Sequence, residues 1–235
     1  MTTPNTALVN DPQAVETLQH MQLPTQLNVM VGNPAAFAGD ASVQSAIINL
    51  QGEAKRSAEL IGKLTQDETR TTPLKHEAAS KIAAKLAGQA EATQLMVLER
   101  ANEYNARAEA TMEERFAPNE KRMYLYDRIA AWVATEAKNG EGNGYRNIRE
   151  AIETNSDFAM VVSNFPHQLL GMPRDHLLNF RATAAQRWAP DATNDLLFAD
   201  KLTELATKYP PFVKRVNASF FSPFELAKVR TRVEV

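Results

Sequence analysis

Cysteine is absent from the 235-residue chain. That excludes disulfides, thiolate nucleophiles and Cys-ligated zinc, and it fits a chain that stays in the cytosol or in a particle assembled there. Aromatic residues make up only 7% of the sequence, so a thick aromatic core is not expected. Charge of one sign is also missing: the formal net charge is −2 and the pI is near 6.1, which gives no global drive toward nucleic acid or an anionic membrane. No positive side chain precedes Lys55, so a basic segment leading into an apolar secretory run is not expected. No stretch approaches the roughly 20 uninterrupted apolar residues that cross a bilayer. The expected location is therefore cytoplasmic, or within a particle assembled in the cytoplasm, with no membrane span.

What the chain does contain is a long seam. Between Asp40 and Phe116, apolar or small residues recur at Val43, Ile47, Leu50, Ala54, Ser57, Ile61 and Leu64, in alternating steps of four and three. The seam breaks once, at Thr71-Thr72-Pro73, and resumes with Leu74, Ala78, Ile82 and Leu86, then Val97, Ala101, Tyr104, Ala108 and Met112. A period near 3.5 keeps one narrow stripe turned toward a partner helix. Asp40 or Ser42 is a ready N-cap for the first helix, Thr72 with Pro73 for the second. The expected fold is all-α: a long, coiled-coil-like antiparallel hairpin with a third helix over 40–138, and a small helical bundle over 145–235. Residues 1–39 are expected to be an extended docking arm, with a short helix near Pro12 to Met21, because Pro4, Pro12, Pro24 and Pro34 punctuate a segment too apolar for a solvated tail.

The run 139–144, Asn-Gly-Glu-Gly-Asn-Gly, reads as a flexible loop and a module boundary. Beyond it, helices are expected at Tyr145–Glu153, Asp157–Asn164, Arg174–Trp188 and Asp191–Tyr209, with Pro210-Pro211 as a separator. Ser222-Pro223-Phe224-Glu225 has the form of a capping box, with Glu225 reaching back to the cap amide. From Lys228 the pattern alternates, with Val229, Thr231, Val233 and Val235 opposite charged residues, and two readings stay open: a terminal strand that would add to a sheet edge, or the frayed end of the preceding helix.

Motifs that would carry chemistry are thin. His76-Glu77-Ala78-Ala79-Ser80 has serine where a zinc-protease helix needs its second histidine, and all four histidines read as surface residues. Gly140 to Gly144 lacks the Lys-Ser/Thr that closes a phosphate loop. No cofactor, metal or catalytic residue is assigned. From Lys208 onward, six Lys and Arg face two Glu, a local basic excess that suggests nucleic acid as an alternative partner.

An alanine-rich helical hairpin with an apolar arm, a small helical module and a strand-like tail resembles, in general character, the minor structural proteins of tailed bacteriophage particles. The resemblance implies a non-enzymatic virion component that associates with its own copies and with other assembly proteins. The expected interface residues are Ile47, Leu50, Ile61, Leu64, Ile82, Leu86, Val97, Tyr104 and Met112 on the seam, with Val229 and Val233 on the tail.

Overall fold

The computed structural model describes residues 7–230, and every regular element among them is helical. In chain order the α-helices are α1 (Pro12–His20), α2 (Pro24–Val31), α3 (Ala41–Gln66), α4 (Thr72–Arg115), α5 (Met123–Lys138), α6 (Tyr145–Thr154), α7 (Ser156–Asn164), α8 (Arg174–Trp188), α9 (Pro190–Ala206), α10 (Tyr209–Phe220) and α11 (Pro223–Arg230). They form two compact units. One falls within Met1–Arg100 and Lys201–Val235, the other is Ala101–Asp200. The division differs from the cut expected at 139–144, which lies inside the second unit.

In the first unit the short helix expected near Pro12 to Met21 is α1, and the rest of the segment before Asp40, expected to be extended, forms α2 and a 3-10 turn over Pro34–Phe37. The prolines read as breakers are helix starters. Pro12, Pro24 and Pro34 each sit in a first turn, where the missing N–H costs no hydrogen bond. Asp11 and Asn33 cap two of these starts by accepting the amides of Gln13 and Ala35. Helix α1 packs on α10, α2 on α3 and α10, and the 3-10 turn on α3, which buries Leu18, Met21, Leu27, Val31 and Phe37. Gly32 ends α2 at φ +106, and a Cβ there would run into the Leu205 side chain.

Helix α3 starts where the sequence places it, because Asp40 accepts the amides of Ser42 and Val43. Polar contacts tie α3 to α4 in opposite order along the two helices. Lys75 Nζ donates to the Thr65 carbonyl, Lys85 pairs with Glu53, and Arg100 pairs with Asp40.

Two expectations at the C-terminal end are corrected. Pro210-Pro211 does not separate elements but opens α10, again from the first turn. Lys228 and Val229 belong to α11 rather than to a strand, since the capped start at Ser222 carries the helix through them. Residues 231–235, Val233 included, lie outside the described residues.

The second unit is built around α5, α6, α7 and α8, with α7 against α8 the most extensive pairing. Its core gathers Tyr126, Val133, Ile148, Ile152, Met160, Val162, Leu170, Leu177 and Phe180, with Phe158, Phe165 and Trp188 packed against it. The expected flexible loop is a kinked turn of π type over Gly140–Gly144, with Gly142 at the kink. At Gly144 a Cβ would collide with the Glu136 carbonyl, so the close return of the chain requires glycine.

Candidate functional site

Five of the nine seam residues expected to face a partner are covered by the chain itself. Ile47, Leu50, Ile61, Leu86 and Val97 have no exposed surface, and Leu64, Ile82, Tyr104 and Met112 are half-buried. Tyr104 packs edge-on against Phe198 with ring centroids 4.8 Å apart, and the Arg107 guanidinium lies over the Tyr104 ring, 4.5 Å from its centroid. Arg107 in turn makes two 2.6 Å bonds to the Asp195 carboxylate, which pushes its already high pKa further up. Met112 lines a pocket of about 230 Å³ with Phe116, Asn164 and Arg181. Val229 is half-buried on α11.

Three polar ties organise the first unit. Asp40 is buried; burial by itself would raise its pKa, but bonds from Ser42, Arg100 and the Val43 amide overcome this and hold it at about 2. Gln51 donates from its side chain to the carbonyl of Gly32 at the end of α2, at 2.8 Å. His76 contradicts the surface reading: it is 2% exposed, and its Nδ1 accepts the backbone N–H of Ser222 at 3.1 Å. The amide expected to be met by Glu225 is therefore met from α4. Burial of His76 lowers its pKa, with Glu225 opposing and Lys228 reinforcing that shift.

In the second unit, helix C-termini are covered by donors from α8. Trp188 Nε1 donates to the Ile152 carbonyl at 2.7 Å, and Arg187 Nε to Glu153 at 3.1 Å. Arg181 donates to the carbonyls of Val162 and Phe165. These carbonyls belong to or follow the last turns of α6 and α7, which have no acceptor-satisfying partner within their own helices.

A groove of about 620 Å³ in the first unit runs between α1, α2 and α10, with Asp11, Glu16 and His20 on one side and Lys214 and Arg215 on the other. Among the described residues no three metal-ligating side chains converge. At the start of α5, Tyr126 is buried and accepts the Asn119 amide, Arg122 just before it pairs with Asp157, and Tyr124 stands 70% exposed. Large apolar side chains left on the surface include Ile48 and Leu95 in the first unit and Tyr124, Leu169, Leu178 and Leu197 in the second.

The chain matches no family model, no curated protein and no solved structure. No helix of the described residues is long and apolar enough to cross a membrane.

The polar ties had unequal signals in sequence. Asp40 was legible as a cap because capping is local. Its partner Arg100 lies 60 residues away, and the His76–Ser222 bond spans 146 residues. Nothing in the local pattern marks either pairing.

Proposed function

We propose that this is a non-enzymatic helical scaffold protein that works as part of a larger assembly, meeting its own copies or other assembly proteins, with a bacteriophage virion as the setting its general character suggests. The observation that carries this reading is the pair of long helices α3 and α4, of 26 and 44 residues, whose contacts run in opposite order as in an antiparallel hairpin. A rod of this kind is a spacer and a docking frame. With Ile61 and its seam neighbours covered within the chain, the contacts to other subunits fall to side chains that remain exposed, such as Ile48 and Leu95 on the long helices.

Sedimentation with light scattering on the purified chain tests the self-association. A discrete multiple of 26.1 kDa that returns to a monomer in Ile48→Asp or Leu95→Asp supports it. A monomer at all concentrations removes self-association and leaves only other assembly proteins as partners. A second reading, nucleic-acid binding by the basic C-terminal region, is favoured by Lys214 and Arg215, both exposed on α10 and without an ion pair among the described residues. Salt-dependent retention on heparin, lost in Lys214→Glu with Arg215→Glu, would support it.

A further inference from the structure

We propose that the bond between His76 and Ser222 is a pH-sensitive latch, in which protonation of His76 Nδ1 releases α11 from the first unit. The Ser222 amide is the free donor at the start of α11, and at 3.1 Å it points at Nδ1. An acceptor nitrogen of neutral imidazole carries no proton, so the ring is held as the tautomer with its proton on Nε2. Protonation places an N–H on Nδ1 facing another N–H. The bond is then lost, and a buried donor and a buried charge are left without a partner.

Helix α11 has little else to hold it. None of its residues from Pro223 to Val229 is fully buried, and Phe224 is 71% exposed. The chain enters it through Phe221 in an extended conformation, directly after the buried Phe220 that ends α10. The bond at Ser222 is the hydrogen bond that joins its first turn to α4, beside the local contacts of Ser222 with the Glu225 and Leu226 amides.

The charged groups acting on the ring from α11 are Glu225 and Lys228, which oppose one another and are bonded together at 2.6 Å. On α4 the ring is flanked by Lys75, engaged with the Thr65 carbonyl, and Glu77, paired with Lys81. The Glu225 carboxylate is the charge that favours a protonated ring, Lys228 works against it, and burial, the largest influence, favours the neutral form. Because the folded pKa lies below the ordinary value of 6.5, the latch is fully formed above that value and is lost as pH falls through the lowered one.

Hydrogen exchange on the full chain tests the latch. After correction for the intrinsic pH dependence of exchange, protection of the α11 amides is expected to fall on the order of tenfold between about pH 7.5 and about pH 5, with α10 unchanged. In His76→Asn, whose side-chain oxygen takes the place of Nδ1 and does not titrate, protection of α11 should be independent of pH over that range. Flat protection in the natural chain, or the same loss in His76→Asn, overturns the proposal. Should His76→Asn fail to fold, nitrogen NMR of the natural chain decides: the ring and the Ser222 amide must titrate together, and a ring that titrates without moving that amide overturns it.

Discussion

The two units solve the same problem, unpaired backbone groups at helix ends, with partners drawn from different distances along the chain. In the first unit the partners are acceptors at helix starts, the local Asp40 carboxylate at α3 and the distant His76 Nδ1 at the entrance to α11, together with donors at helix ends, Gln51 at Gly32 and Lys75 at Thr65. In the second they are donors placed at helix ends, with α8 supplying Arg181, Arg187 and Trp188 to carbonyls of α6 and α7. The difference follows from chain order. The second unit is one continuous segment, so neighbouring short helices meet end against side. The first is assembled from two separated parts of the chain, and the His76–Ser222 bond crosses the gap in sequence. Such a unit forms only after distant segments meet, which slows folding and concentrates its stability in a few long-range contacts.

The comparison breaks most visibly at the cores. Ile61→Ala and Ile148→Ala each truncate a side chain with no exposed surface and should cost about 2–5 kcal/mol. If the units unfold separately, each variant lowers a different thermal transition in calorimetry. A common shift of one transition would show that they unfold together.

Next in size is Asp40→Ala, which removes a cap and strands Arg100, at a cost of about 2–4 kcal/mol by urea denaturation. Its pH dependence has a definite sign. With the folded pKa at about 2 against an ordinary 3.8, the stabilisation is complete above that ordinary value and is lost as pH falls through about 2. The variant should therefore lose less stability than the natural chain between those two values.

Arg181→Met, the corresponding lesion at the other kind of helix end, keeps the apolar stem but removes both bonds to α7, for about 1–3 kcal/mol. An equal loss in Asp40→Ala and Arg181→Met would erase the asymmetry between the units. Gly32→Ala should cost about 1–2 kcal/mol, since it forces an L side chain to φ +106 against Leu205. Leu178→Ala, on an exposed position, should stay within about 0.5 kcal/mol and marks the floor of the series.

Much of the helical framework was legible. Helix α8 has the expected bounds, and α3, α4, α6 and α7 begin or end within a few residues of theirs, because apolar periodicity and capping act over a turn or two. The errors have two sources. Proline was read as a breaker at Pro24, Pro34 and Pro210-Pro211, although at a first helical turn it breaks nothing. The second is at Lys228 and Val229, where alternation leaves strand and helix end both open and the capped start directly before them carries the helix on.

By itself, then, the sequence determined helix: alanine abundance, seam spacing and local caps are properties of neighbours along the chain. Only the tertiary structure decided what the seam faces. A period of 3.5 requires a partner but does not say whether it comes from the same chain, and here α3 and the first part of α4 are covered from within. It also decided the fate of His76. A histidine is a surface base or a buried acceptor according to what packs over it, and the amide that packs over this one comes from the far end of the chain.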